Sequence, residues 1–320
     1  MGRLIDGAWH NEDRVKKEDG GRFVRKESVF RDWITADGSS GFKAEPGRYH
    51  LYVCLACPWA HRTMIFRKLK KLEDIISVSV VDVLNLEEGW SFHGDMPGCI
   101  PDTANGTEFL HQVYTKADPK ITSKVTVPTL WDKQKQTIVN NESSEIIRMF
   151  NSAFNEFSDS DLDFYPEDLR PEIEAVNARV LPNVNNGVYR TGFATSQEAY
   201  EESFLALFET LDWLEERFGK KRYLAGDRIT EADWRLFTTL VRFDVAYHGH
   251  FKCNRKRIVD YPNMWGYLRE LYQVPGVAET VNFDHIKAHY YGAQRSVNPT
   301  GIVAVGPDLD FMAPHGRESL

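Results

Sequence analysis

Cys57-Pro-Trp-Ala60 is the segment of this chain best placed to do chemistry. It follows Tyr49-His-Leu-Tyr-Val-Cys-Leu55, a short alternating run of β-formers, and opens a stretch to Lys71 in which Met64, Ile65 and Leu69 recur at helical spacing. Pro58 suits the first turn of that helix. Cys57 is thus predicted at a strand-to-helix junction, where unpaired backbone N–H groups and the helix dipole favour an anion. A cysteine there ionises more readily than a free thiol and is a working nucleophile. The competing reading is a buried structural cysteine. It leaves the coincidence of strand end, Cys-Pro and helix start unexplained.

Cys54 forms a Cys-x-x-Cys with Cys57, but its order is wrong for a dithiol motif of the thioredoxin type. There the nucleophile comes first, and the position that should hold its resolving partner is Ala60. Cys54 is read as a small residue of the strand core. A mixed disulfide on Cys57 must then be resolved by an external thiol, for which glutathione is the obvious candidate. Four cysteines in 320 residues make no disulfide framework and suggest a reducing compartment.

The elements around Cys57 fix its neighbours. Ile75–Val81 reads as a second, buried strand, so strand, helix and strand predict a parallel pair. Asn85 to Lys124 is a long polar stretch with Gly and Pro, of the kind that is functional or disordered. Val125–Trp131 and Thr137–Val139 read as a hairpin turning at Asp132-Lys-Gln-Lys-Gln, and a helix starts at Glu142. The order β-α-β then β-β-α is that of a thioredoxin-like domain. It makes Pro128 the expected cis-proline beside the nucleophile. The backbone of Val127 is then open to an extended peptide such as the cysteinyl unit of glutathione. At the helix start, the Ser143 hydroxyl and nearby N–H groups can hold the α-carboxylate of a γ-glutamyl group, and Glu142 its ammonium. Plain helix capping is the alternative; the ligand reading is preferred.

Beyond a linker-like segment, with six carboxylates between Glu156 and Asp168, everything reads as helix. Phe204, Leu207, Phe208, Leu211, Leu214 and Phe218 form an apolar stripe that ends at Gly219, a C-cap position. Thr230-Glu-Ala-Asp233 resembles a capping box. The expected divisions are an irregular N-terminal extension over 1–45, a thioredoxin-like glutathione-binding domain over 46–150, an acidic linker over 151–171 and an all-helical domain with a C-terminal tail over 172–320. An α/β thioredoxin-like domain followed by an all-α domain is the glutathione-transferase fold.

Composition narrows the partners. A net charge of −8 argues against nucleic acid, and Arg67-Lys68, Lys70-Lys71 and Arg255-Lys256-Arg257 read as solvated faces. The segment Met1-Gly-Arg-Leu-Ile-Asp-Gly7 shows no secretory h-region, and no apolar run approaches the roughly 20 residues that span a bilayer. The expected setting is the cytoplasm. His248-Gly-His250 with Cys253 matches no closed zinc pattern, so no metal is expected.

These residues resemble the glutathionyl-hydroquinone reductases, the Xi-class, omega-like glutathione transferases. The resemblance runs from about Arg22 to Pro307. It includes Phe23-Val-Arg-Lys-Glu-Ser-Val-Phe-Arg-Asp-Trp33, Pro46-Gly-Arg-Tyr-His-Leu-Tyr52 and Leu55-Ala-Cys-Pro-Trp-Ala-His-Arg62. It continues through Gly89-Trp90, Lys116-Ala-Asp-Pro119, Val125-Thr-Val-Pro128 and Val139-Asn-Asn-Glu-Ser-Ser-Glu-Ile-Ile-Arg148. Further matches are Asn185-Asn-Gly-Val-Tyr189, His289-Tyr290 and Asn298-Pro-Thr-Gly-Ile302.

The resemblance implies a glutathione-dependent reduction. The Cys57 thiolate takes the glutathionyl sulfur from an aromatic glutathionyl-hydroquinone, and a second glutathione resolves the mixed disulfide. Carried over by motif, Trp90 packs on glutathione, Lys124 contacts it, and Val127, Glu142 and Ser143 bind its peptide and γ-glutamyl parts. Tyr189 and Tyr290 line the aromatic pocket. It also implies a homodimer. Two positions depart from the family pattern. Lys124 stands where Arg is usual and loses bidentate carboxylate geometry. Cys54 stands where Ser is frequent, which opens an off-pathway disulfide with Cys57. Two other readings remain: a general glutathione thioltransferase or dehydroascorbate reductase with a more open acceptor site, and a non-catalytic glutathione-transferase-like binding module, which has no need of a thiol at a helix N-terminus.

Overall fold

In a computed structural model, which describes residues 2–11 and 19–320, the chain begins with strands Gly2–Ile5 (β1) and Ala8–Asn11 (β2). They pair antiparallel across Asp6-Gly7, both at positive φ, 49° and 80°. That backbone suits Asp-Gly, because glycine carries no Cβ penalty there. The expectation of irregular backbone up to residue 45 is thus corrected at its start and again at Ile34–Thr35 (β3) and Phe42–Lys43 (β4), a short parallel pair.

Tyr49–Val53 (β5), Pro58–Leu69 (α1) and Ser77–Val80 (β6) follow as strand, helix and parallel strand. The polar stretch after β6 is not all loop: Leu110–Ala117 (α2) buries Leu110, Val113 and Tyr114. Then come Ser123–Lys124 (β7), Thr129–Asp132 (β8), Thr137–Asn140 (β9) and Ser143–Ser152 (α3). The four-stranded sheet runs β6-β5-β8-β9, with β8 antiparallel to both neighbours. A second sheet runs β2-β1-β7.

Strand β5 is buried along its whole length, as a central strand covered on both faces must be. His50 lies within it, its ring nitrogens 2.7 Å from Ser77 Oγ and 2.9 Å from Ser79 Oγ. Burial lowers its pKa to about 4, so the imidazole is neutral. Arg48 donates to fully buried Asp132 (Nε to Oδ1, 3.0 Å) and fixes the turn into β9.

The second half is helical. Arg170–Val180 (α4) passes through a π-helical turn, Leu181–Asn185, into Gly187–Gly192 (α5). Gln197–Phe218 (α6) is followed by Glu231–Arg242 (α7), a π-helical turn at Phe243–Tyr247, His248–His250 (α8) and Pro262–Tyr272 (α9). The apolar stripe of α6 is buried at Leu207, Phe208, Leu211, Leu214 and Phe218. Gly219 ends α6 in right-handed geometry (φ −73°), so it does not use glycine's left-handed freedom. Thr230 and Asp233 form the capping box of α7, the Thr230 N–H donating to Asp233 Oδ2 at 2.8 Å.

Phe283–Lys287 (α10) lies far along the chain, yet residues 280–289 group with the first unit, beside 26–162 and the N-terminal hairpin. Residues 163–279 and 290–320 make up the second, with 19–25. That grouping departs from consecutive domains dividing at 150 and 172. Among the described residues no helix is long and apolar enough to cross a membrane.

Candidate active site

Cys57 is the N-cap of α1, extended at φ −78° and ψ 122°, with Pro58 in the first turn. Its N–H donates to Cys54 O (3.0 Å) and its carbonyl accepts from His61 N (3.0 Å), so its backbone is held from both sides. The thiol is partly exposed and donates to Val127 O at 3.5 Å. Val127 immediately precedes Pro128, and the peptide bond between them is cis. Cys54 is fully buried.

The loop that presents Val127 is fastened by one phenol. The Tyr114 hydroxyl, reached from α2, donates to Thr126 O (3.0 Å) and accepts from Thr126 N (3.2 Å) and Asn141 Nδ2 (3.0 Å). Thr129 Oγ1 closes the same loop by donating to Thr126 O at 2.7 Å. Tyr114 and Asn141 were not singled out from sequence. Tyr114 lay in a stretch read as loop, and its partners are far along the chain.

At the start of α3, Glu142 is the N-cap and Ser143 is buried. The Glu142 carboxylate accepts from Ser144 N (3.1 Å), Ser144 Oγ (2.9 Å) and Ser28 Oγ (3.2 Å). The capping geometry set aside in favour of a ligand role is therefore present. Arg62, one helical turn past Cys57, is buried against the Trp59 ring (4.5 Å) and donates to Ser143 Oγ at 3.4 Å. It ties the helix that Cys57 caps to the α3 start.

Lys124 lies in β7, opposite Arg3 of β1. Trp90 stacks on His289, with ring centroids 5.3 Å apart and planes at 24°. His289 is fixed in turn at Nδ1, 2.6 Å from Val83 O.

Tyr189 and Tyr290 belong to the second unit. Their hydroxyls are 2.5 Å apart. A third phenol, Tyr247, reaches Tyr290 at 2.9 Å and Tyr189 at 3.5 Å. Burial raises the pKa of Tyr247 and Tyr290 well above 10, so both stay protonated and able to donate at neutral pH. Phe251 packs against all three rings, and a Cβ on Gly192 would sit 2.1 Å from its ring, so only glycine fits there. Tyr247 and Tyr290 both lie in π-helical turns, Phe243–Tyr247 and Ala288–Ala293. Such turns recur at functional sites. His250 instead meets Gln294 Oε1 (3.0 Å), and Cys253 is fully buried.

Comparison with known proteins decides the family. Residues 56–153 match the glutathione S-transferase N-terminal domain family and 197–270 the glutathione S-transferase C-terminal domain family. A glutathionyl-hydroquinone reductase of Escherichia coli is 55% identical over 324 residues, 99% of each chain. One from Sphingobium chlorophenolicum is 58% identical over 309 residues, 96% of each. This chain belongs to that reductase family, the Xi class of glutathione transferases. Its fold is accordingly a thioredoxin-like domain plus a helical domain. A glutathione-bound structure of a glutathione transferase homologue from E. coli has a TM-score of 0.92 at 53% identity, covering 99% of both chains. A Xi-class transferase from Natrialba magadii has a TM-score of 0.94 at 49% identity, covering 100% of this chain and 97% of the other.

Proposed function

We propose that this chain reduces glutathionyl-hydroquinones to hydroquinones with glutathione as co-substrate. The observation that carries the chemistry is the Cys57 sulfur at the start of α1, 3.5 Å from the carbonyl that precedes cis-Pro128. The reductase names of relatives matched over nearly their whole length support the substrate class.

The Cys57 thiolate attacks the thioether sulfur of the substrate. The aryl carbon–sulfur bond breaks, its electron pair stays with the ring, and a proton completes the hydroquinone. A Cys57–glutathione disulfide remains. A second glutathione, as thiolate, attacks that disulfide and leaves as oxidised glutathione, returning Cys57. The ring is reduced by two electrons and two glutathione sulfurs are oxidised, so the cycle balances without a further oxidant. With no cysteine at Ala60, the resolving thiol comes from solution. Tyr189 and Tyr290 are assigned to the quinol oxygens, where a protonated phenol stabilises charge that develops as the bond breaks. Trp90, Lys124, Val127, Glu142 and Ser143 are assigned to glutathione. Glu142 then serves two ends, capping α3 and meeting the γ-glutamyl ammonium. The working form is taken to be a homodimer in the cytoplasm, a compartment that keeps thiols reduced.

The test is a steady-state assay with a glutathionyl-hydroquinone and glutathione, following free hydroquinone, beside Cys57→Ser. Release lost in the variant supports the reductase and its nucleophile together. Release that persists overturns the Cys57 mechanism. Failure on this substrate with activity on a simple mixed disulfide replaces it with a thioltransferase.

A further inference from the structure

Resting on that reading, we propose that the N-terminal hairpin is a working part of the glutathione site, gripping the two segments that carry Trp90 and Lys124. Strand β7 is two residues long, too short to hold its own register. Strand β1 supplies the partner, Arg3 opposite Lys124 and fully buried Leu4 opposite Ser123. The grip extends back along the chain, Gly7 N donating to Ile121 O (3.0 Å) and Asp6 N to Thr122 Oγ1 (2.9 Å).

Strand β2 grips the other segment. The Trp9 indole N–H donates to Glu87 O at 2.9 Å. Its ring stacks on His111 (5.0 Å, 21°), which stacks on Phe109 (5.3 Å, 6°). Three glycines permit the approach. A Cβ on Gly89 would lie 2.8 Å from the Trp9 ring, one on Gly2 2.4 Å from it, and one on Gly7 2.0 Å from Pro119 O. Gly89 also holds φ +73°, and it is the residue before Trp90.

The hairpin touches no reacting atom, so Trp9 is a positioning residue. Without it, Glu87–Trp90 and Ser123–Lys124 sample conformers that glutathione must order on binding. That cost falls on affinity and leaves the bond-making step alone.

Glutathione binding, measured by calorimetry, separates this from catalysis. Parent Cys57→Ser is compared with Cys57→Ser/Trp9→Ala and Cys57→Ser/Trp9→Phe, with circular dichroism to confirm folding. Trp9→Ala is expected to weaken binding about tenfold, and Trp9→Phe, which keeps a ring but lacks the N–H, about threefold. With Cys57 intact, Trp9→Ala is expected to raise KM for the glutathionyl-hydroquinone, whose glutathionyl part enters that site in the first step, by the same factor, with kcat within about twofold. Should Trp9→Ala not fold, the Trp9→Phe shift decides. Unchanged dissociation constants overturn the inference. A loss confined to kcat overturns it as well. Parent Cys57→Ser that takes up no glutathione brings down the functional reading first and this inference with it.

Discussion

The thiol half and the tyrosine half of this molecule are built on opposite plans. Around Cys57 the described contacts are made by backbone: a helix start and a carbonyl before a cis-proline. Around Tyr290 they are made by side chains, three phenol hydroxyls within 3.5 Å of one another and walled by Phe251. A backbone site tolerates changes in the residues that flank it, because the atoms it uses are common to all of them. A side-chain site does not.

The comparison breaks most sharply at the nucleophile. Cys57→Ser should lower hydroquinone release by at least about a thousandfold while glutathione still binds, because only the covalent step is removed. Equal loss of glutathione binding would show that the sulfur also serves recognition.

Acidity separates the halves next. His50 in β5 is buried neutral with its pKa lowered from 6.5 to about 4. A folded-state pKa below the unfolded one gives stability that is complete above pH 6.5 and lost as pH falls towards 4. The loss is about 3 kcal/mol at its fullest. Tyr247 and Tyr290 have folded pKa values above the unfolded 10, so their contribution is present below pH 10 and fades above it. Hydrogen exchange on the intact chain should therefore show the first unit loosening in acid, whereas in alkali Tyr49 and Tyr52 of β5, whose pKa values burial also raises, respond as the tyrosine cluster does. His50→Asn should flatten the acid slope; an unchanged slope would remove His50 as its source.

Smaller effects sharpen the contrast. Tyr290→Phe should lower kcat by roughly 10- to 100-fold and leave glutathione affinity alone, as expected for a donor to the leaving oxygen. Tyr114→Phe should do the reverse. It takes the acceptor from the Thr126 N–H and the shorter of two bonds from Asn141 Nδ2, costs about 1–2 kcal/mol of stability and weakens glutathione binding with little change in kcat. Calorimetry and steady-state kinetics on the two variants check both directions. Tyr247→Phe should cost only a few-fold in kcat, since two of the three hydroxyls remain.

What could be read from the sequence follows the same divide. Cys57, Pro58 and the strand before them are contiguous, so local spacing placed the thiol at the helix start. The Thr230–Asp233 capping box was legible for the same reason. Tyr247 was not, because the phenols it meets are 58 and 43 residues away and no periodicity marks such a meeting. The π-helical turns leave no sequence signature, and Tyr189 and Tyr290 were reached only through family resemblance. The N-terminal hairpin is a different case. Asp6-Gly7 is a strong hairpin signal, but strands of four residues rich in polar side chains obscured it. Helix α2 was hidden among glycines and prolines.

The return of residues 280–289 to the first unit has a consequence for synthesis. Thr280 meets His61, His285 meets Pro97, and His289 braces Trp90. A nascent chain that has cleared the ribosome only as far as Leu162 lacks the His289 ring that stacks on Trp90. The last loop to close is also the longest, which places it late in folding. Truncation before His289 would remove the ring that stacks on Trp90.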